Sequence, residues 1–316
     1  MSVTNLLDVK AAAFSNVLSD IDLTPFYEER QGHSVKPADA YREEVERGLF
    51  GTEKSGAPMP WNGFSQNFEF RDNELTIWSG YKGHGKSAVI SQVFNALMVR
   101  GKKLLVLSPE FRPARVIERM IFQRLQTRDL SKEQLDVWFA WAAKLLWLYD
   151  AQKSLRAEEV IAICRFAIEK FHVEHILVDS LMKCGMAPDD YGAQKRFVDH
   201  LQTLAHSRPV HIHLVAHARK GGSDEMPPKL HDIKGASEIA DMAENVIVIW
   251  RNKPKEKAES VGDNLHSTEP DALVTVEAQR NAGGWIGTVP MFYDRQAMTF
   301  YEQGQREARG GEWASL

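Results

Sequence analysis

Gly80-Tyr81-Lys82-Gly83-His84-Gly85-Lys86-Ser87 fits the pattern G-x-x-x-x-G-K-[ST], and its flanks are the ones that pattern needs. The preceding Leu75-Thr76-Ile77-Trp78-Ser79 reads as a short buried strand, and residues 87–98 carry apolar side chains at helical spacing. A strand, a glycine loop and a helix in this order gather backbone N–H groups at a helix N-terminus, a natural seat for phosphates. The expectation is that Gly80, Gly83, His84, Gly85 and Ala88 line this loop. Lys86 would meet the β- and γ-phosphates of ATP, and the Ser87 hydroxyl would hold Mg²⁺.

Outward from the loop, strands and helices alternate. Residues 103–108, 145–149, 175–179, 210–216 and 245–250 read as strands, with helical segments between most of them, which predicts a largely parallel sheet covered on both faces. Residues 272–280, 287–293 and 297–301 follow one another across short turns and read as antiparallel strands added to one edge. The fold class is therefore α/β, a mostly parallel central sheet flanked by helices, with antiparallel strands at its C-terminal end.

Three strands end in groups suited to chemistry on a phosphate. The run Ile176-Leu177-Val178-Asp179 delivers a carboxylate to the C-terminal edge of the sheet, where Asp179 can organise the Mg²⁺ shell. Leu104-Leu105-Val106-Leu107-Ser108-Pro109-Glu110 brings a second carboxylate to the same edge, placed to polarise an attacking water. The strand ending at His217 offers a group that can bond the γ-phosphate and report it to the next loop. His211 and His213 alternate within that strand and read as packing residues; without a third ligand at suitable spacing, zinc is not expected.

The rest of the chain bounds the setting. Cys164 and Cys184, the two cysteines, lie in apolar segments and read as buried thiols of a reducing compartment, which predicts a cytoplasmic protein. No apolar run approaches the length of a membrane span, and the N-terminus lacks a signal-peptide pattern. A formal charge of −4 gives no global attraction to nucleic acid, so such binding needs a local basic surface. Residues 1–58 read as a helical arm and linker, with Leu7, Phe14 and Leu18 on one face, a second helix over 37–47 closed by Gly48, and a hinge at Gly56-Ala57-Pro58-Met59-Pro60. Residues 59–303 form the main domain and 304–316 a polar tail.

Taken in order, these segments resemble the DnaB-like hexameric replicative helicases, which carry a RecA-like ATPase core, with the mitochondrial Twinkle helicase and the helicase half of phage primase-helicases as the nearest likeness. The resemblance runs from about Pro60 to Tyr301. It rests on the phosphate loop, Met59-Pro60-Trp61-Asn62-Gly63-Phe64, Ser108-Pro109-Glu110-Phe111, Ile176-Leu177-Val178-Asp179-Ser180-Leu181, His217-Ala218-Arg219-Lys220, Lys234-Gly235-Ala236-Ser237 and Ala278-Gln279-Arg280-Asn281. It implies that Glu110 is the catalytic glutamate and that Arg280 reaches the γ-phosphate bound by a neighbouring subunit. It also implies that Arg251 and Tyr293 enclose the nucleotide base. One position departs from the family: Ala278 stands where a Lys is usual, so Arg280 acts alone, Lys253 compensates, or hydrolysis is slow.

The resemblance also implies a homo-oligomeric ring, most simply a hexamer, that translocates 5′→3′ on single-stranded DNA. The strand would be held by Arg219, Lys220, Lys229, Lys234 and Gly235 in the loop after the His217 strand, with Lys183, Lys195 and Arg196 bordering the loop after Asp179. These loops carry little net charge each, so weak phosphate contacts must sum around the ring. With no room for a primase domain ahead of residue 58, a primase, like a polymerase, would be a separate partner. Two alternatives stay open at this point: a RecA/RadA-like recombination filament, and a nucleotide-gated binding or loading factor with weak ATPase.

Overall fold

The computed structural model describes residues 24–26, 37–50, 56–150, 155–219, 223–233, 237–263, 265–281 and 284–303. The expected Leu7/Phe14/Leu18 face, the 304–316 tail, and Lys220, Lys234 and Gly235 lie outside these residues.

The helices are α1 (Arg42–Phe50), α2 (Asn62–Ser65), α3 (Lys86–Val99), α4 (Pro113–Leu125), α5 (Lys132–Ala142), α6 (Ala157–Phe171), α7 (Tyr191–Ser207), α8 (Ser237–Met242) and α9 (Lys253–Ser260). A two-stranded ribbon pairs β1 (Gly56–Pro58) with β2 (Glu69–Arg71). The main sheet contains β3 (Leu75–Gly80), β4 (Leu104–Leu107), β5 (Leu146–Tyr149), β6 (His175–Val178), β7 (His211–His217), β8 (Asn245–Arg251), β9 (Ala272–Gln279), β10 (Gly287–Asp294) and β11 (Thr299–Tyr301). Its order is β11-β10-β9-β8-β3-β7-β6-β4-β5. The six strands from β8 to β5 in that order are parallel, whereas β9, β10 and β11 pair antiparallel. This is the expected architecture, and the sheet order places the phosphate-loop strand β3 between β7 and β8.

Two cores result from the period of two along these strands. Trp78, Val106, Leu177, Val215 and Ile247 point to one face and pack with Val89, Val93, Phe94 and Leu97 of α3 and with Val116 and Met120 of α4. Their neighbours Ile77, Leu105, Val178, Leu214 and Val246 point to the other, against Ile161, Cys164 and Ile168 of α6 and Phe197 and Leu201 of α7. Both faces are covered, so the central strands read as continuous apolar runs and not as alternating ones.

Several expectations at the N-terminal side change. Gly56–Pro58, read as a hinge, is a strand in register with Glu69–Arg71, and Ala57, Met59, Trp61 and Phe64 are buried. The apolar content of Ala-Pro-Met-Pro-Trp outweighs the turn signal of its prolines once a partner strand is near. The second helix opens as a 3₁₀ turn over Ala38–Tyr41 and runs through Gly48 to Phe50. Thr24–Phe26 lies on α6, with the Phe26 ring edge-on to Phe166 and its carbonyl accepting from Arg165 at 3.2 Å. Among the described residues, no helix is long and apolar enough to cross a membrane.

The alternating histidines pack as expected, joined by a third. His211 Nδ1 donates to the Arg71 carbonyl, leaving its Nε2 to accept from Thr76 at 2.8 Å. Trp78 Nε1 donates to His213 Nδ1 at 3.1 Å, so His213 Nε2 donates to His175 Nδ1 at 3.2 Å. Burial holds His175, His211 and His213 below the usual imidazole range. Among the described residues there is no cluster of three or more His, Cys, Asp or Glu arranged to hold a metal ion.

Candidate active site

β3 ends at Gly80, whose φ is +145° and where a Cβ would stand 2.2 Å from the Ile249 carbonyl oxygen; only glycine lets the chain leave the sheet here. The loop turns through Gly85, in the left-handed conformation, into α3. Lys86 is buried, and its ammonium donates to the carbonyls of Gly80 and Tyr81 at 2.8 and 2.9 Å. The cation is thus held over the concave side of its own loop.

β4 and β6, adjacent and parallel, bring their C-terminal residues to the same edge. Asp179 follows β6 directly and is buried; Ser87 at the start of α3 donates to its Oδ2 at 3.4 Å. A hydroxyl and a carboxylate at this spacing are hard oxygen donors suited to Mg²⁺, and the cationic glycine loop beside them suits a polyphosphate. The residues therefore fit the metal and the nucleotide. When bound, the ion would neutralise charge on the phosphates, and Ser87 and Asp179 would be its protein partners.

Glu110 lies across from Asp179. Its Oε1 accepts from Ser180 Oγ at 2.8 Å and from His217 Nε2 at 3.4 Å. The His217 hydrogen bond, against the opposing effect of burial and with help from Ser180, holds the Glu110 carboxyl down at about 2. Asp179 is pushed the other way, to about 6, by burial and then by the charge of Glu110. Two carboxyl groups in one cleft are thereby moved apart: Glu110 is held ionised, while the charged form of Asp179 is disfavoured. His217 stands at the end of its strand as expected, but within the chain its partner is Glu110.

The nucleotide-loop residue His84 is buried and ties three segments together. Its Nδ1 accepts from the Arg251 backbone N–H at 3.0 Å, so its Nε2 donates toward Asp224 at 3.4 Å. Trp250 Nε1 also donates to the Asp224 carbonyl at 3.1 Å. The Arg251 guanidinium pairs with Glu256, which also takes Lys253 at 3.2 Å. Tyr293, packed on Phe300, lies within the electrostatic reach of Arg251, Arg119 and Arg128, and burial raises its hydroxyl pKa. The two residues expected to enclose a base are thus brought near one another beside the loop.

Sequence reasoning missed Arg119, a half-buried cation of α4. Its Nε donates to Ser91 at 3.0 Å, its guanidinium lies 5.6 Å from the Phe111 ring, and it acts on Asp179 electrostatically. The signal was a charge on the helix face that also carries Val116 and Met120. Ser180 and Asp224 were missed for a different reason: nothing in a serine after Asp179 or an acid in a polar loop marks them before the fold is known.

Arg280 lies elsewhere. β9 runs antiparallel to β8, with Gln279 opposite Asn245, and the Arg280 backbone N–H donates to the Glu244 carbonyl at 2.9 Å. Glu244 is itself bonded to Leu75, the first residue of β3. Arg280 is therefore exposed at the edge of the sheet opposite the phosphate loop. The length of β3, at about 3.3 Å per residue, separates the two by roughly 17 Å. Ala278 leans on the core.

Arg219 and Lys229 are exposed and belong to a loop closed at its neck by the Ala218–Ile233 bridge and by Arg219 N–H to the Asp232 carbonyl. Arg219 lies 6.0 Å from the Tyr191 ring, at the start of α7.

Comparison with known proteins agrees with this geometry. The family model described as the DnaB-like helicase C-terminal domain matches residues 66–302, about three quarters of the chain. Among solved structures, a DnaB-like replicative helicase described with its interactions with primase superposes with a TM-score of 0.67 at 14% identity, covering 85% of this chain and 67% of that one. A second solved structure, described as an ATPase domain, superposes with a TM-score of 0.70 at 14% identity, covering 85% of this chain and 99% of that one. At that identity the superpositions speak for the fold, RecA-like as the sequence implied.

Proposed function

This chain belongs to the DnaB-like helicase C-terminal domain family and is a helicase-type ATPase, and we propose that its ATP is hydrolysed between subunits of a closed ring that moves along single-stranded DNA. The observation that carries this reading is the position of Arg280. An arginine side chain spans about 7 Å, so it does not reach across the roughly 17 Å between the β9 end and its own phosphate loop. In a head-to-tail arrangement the same edge of one subunit faces the loop of the next, and repetition closes a ring.

Within each shared site the geometry supports the following roles. The phosphate loop and Lys86 bind and orient the triphosphate. Ser87 and Asp179 hold Mg²⁺. Glu110, kept ionised by His217 and Ser180, orients the attacking water and takes its proton. Arg280 from the neighbour meets the charge developing on the phosphoryl oxygens; such a group contributes about 10³–10⁵ in rate. His217, bonded to Glu110 and standing at the neck of the 219–233 loop, relates the state of the nucleotide to that loop.

Arg219 and Lys229, with Lys220, Lys234 and Gly235, would hold the phosphates of a single strand, and Arg251 and Tyr293 the nucleotide base. The direction of movement, 5′→3′, and a separate primase partner are carried by the family resemblance alone. The experiment is ATPase measured with and without single-stranded DNA, beside unwinding of a forked duplex. Stimulation by the strand together with strand separation is the expected result. Turnover indifferent to DNA, with no unwinding, would instead favour a nucleotide-gated binding factor.

A further inference from the structure

Two buried acids sit at the root of the proposed finger, and the chemistry described so far uses neither. Glu74, directly before β3, is 2% exposed, and Glu244, directly before β8, is 7% exposed. Acidic side chains are seldom buried so far unless their oxygens are fully engaged. Glu74 Oε1 accepts from Asn281 Nδ2 at 2.8 Å and its Oε2 from Asn245 Nδ2 at 2.9 Å, with Arg71 at 3.9 Å. Glu244 Oε2 accepts from the Leu75 N–H at 2.8 Å, and its Oε1 from Gln202 at 2.9 Å and from His206 at 3.1 Å.

Arg280 lies between these two anchors. Its own N–H is bound to the Glu244 carbonyl, and the side chain of the next residue, Asn281, is bound to Glu74. On the preceding side, Gln279 is buried, donates to the Asn67 carbonyl at 3.3 Å and accepts from Trp285 N–H at 2.9 Å. The segment therefore leaves β9 held on both flanks, with Arg280 between them exposed to solvent.

We infer that Glu74, acting through Asn281, is a positioning residue that aims Arg280 at the neighbouring subunit's nucleotide. This rests on the finger reading above. It has particular weight in this chain because Ala278 removes the second cation that the family usually offers at this strand end, leaving one arginine to be placed correctly. A misplacement on the order of 1 Å can cost about a hundredfold in rate, so the root of the finger matters as much as its charge.

The test is an exchange of partners. Asn281→Asp sets two acids against each other at 2.8 Å. Glu74→Gln with Asn281→Asp reverses donor and acceptor and restores the bond, while the Gln oxygen still accepts from Asn245. The single Asn281→Asp variant is expected to lose about tenfold to a hundredfold in kcat, with the KM for ATP within about twofold of wild type. The double variant should regain most of that loss. Binding of ADP alone should be unaffected throughout, whereas binding of ADP with aluminium fluoride should follow kcat.

Wild-type kcat in Asn281→Asp would overturn the inference. So would a loss shared by kcat, ADP affinity and melting temperature that the double variant does not repair, since that is the mark of a purely structural contact. Arg280→Ala run alongside separates the two levels: if it turns over normally, the finger reading itself has failed, whatever Asn281 does.

Discussion

Asp179 and Glu110 face one cleft with their carboxyl groups moved in opposite directions, and each shift has a measurable consequence. A carboxyl raised on folding favours the folded state while it is protonated. That contribution is complete below the ordinary carboxylate range and is lost as pH rises through about 6. At neutral pH without Mg²⁺, the buried charge of Asp179 therefore works against the fold, by on the order of 3 kcal/mol. Asp179→Asn is expected to melt a few degrees above wild type at pH 7.5 in metal-free buffer, with the gap narrowing toward pH 5, while hydrolysis is lost. A variant that melts lower at pH 7.5 would place the Asp179 charge among stabilising partners. Glu110, lowered to about 2, stays ionised across that range, so an activity loss between pH 7 and 5 would not report protonation of the base. Glu110→Gln should bind ATP normally and lose about 10²–10⁴ in kcat, as judged by fluorescent-nucleotide titration beside single-turnover hydrolysis. Loss of binding would make Glu110 a ligand and not a base.

At the scale of the element, the glycine loop has a sharp requirement that the sequence pattern states and the geometry explains. Gly80→Ala would drive a methyl into the Ile249 carbonyl at a positive φ, costing about 3 kcal/mol or more, read as a fall in melting temperature or in soluble yield. A neutral outcome would mean that β8 moves away from β3 freely. The strand–loop–helix around Gly80, the parallel strands and the carboxylates at their ends were legible because their signals are local: apolar runs, punctuating glycines and an acid at the strand end. What was not legible depends on neighbours far along the chain. Gly56–Pro58 is a strand only because Glu69–Arg71 lies beside it, Arg119 reaches Asp179 only once α4 packs on α3, and Glu74 meets Asn281 only after β9 has returned antiparallel to the base of β3. The loop between Ala218 and Ile233 carries its own expectation: Lys229→Ala with Arg219→Ala should weaken single-stranded DNA binding and lower its salt slope by about 2, basal ATPase remaining measurable. An unchanged slope would place the strand on another surface.

For the whole molecule, the sheet sorts its chemistry by edge. The C-terminal ends of the parallel strands carry Lys86, Ser87, Glu110, Asp179 and His217, and the antiparallel return of β9 carries Arg280 to the other end. On the proposed reading, a chain built this way holds both halves of a hydrolytic site and unites them only with a copy of itself. The most direct measurement is ATPase of mixed subunits. Arg280→Ala and Lys86→Ala are each expected to be nearly inactive alone. After mixing in equal amounts and reassembly, about a quarter of head-to-tail interfaces would pair an intact Lys86 with an intact Arg280, and ATPase should return in that proportion. If the subunits demonstrably exchange and no activity returns, Arg280 does not serve a neighbour's nucleotide, and the shared active site is contradicted.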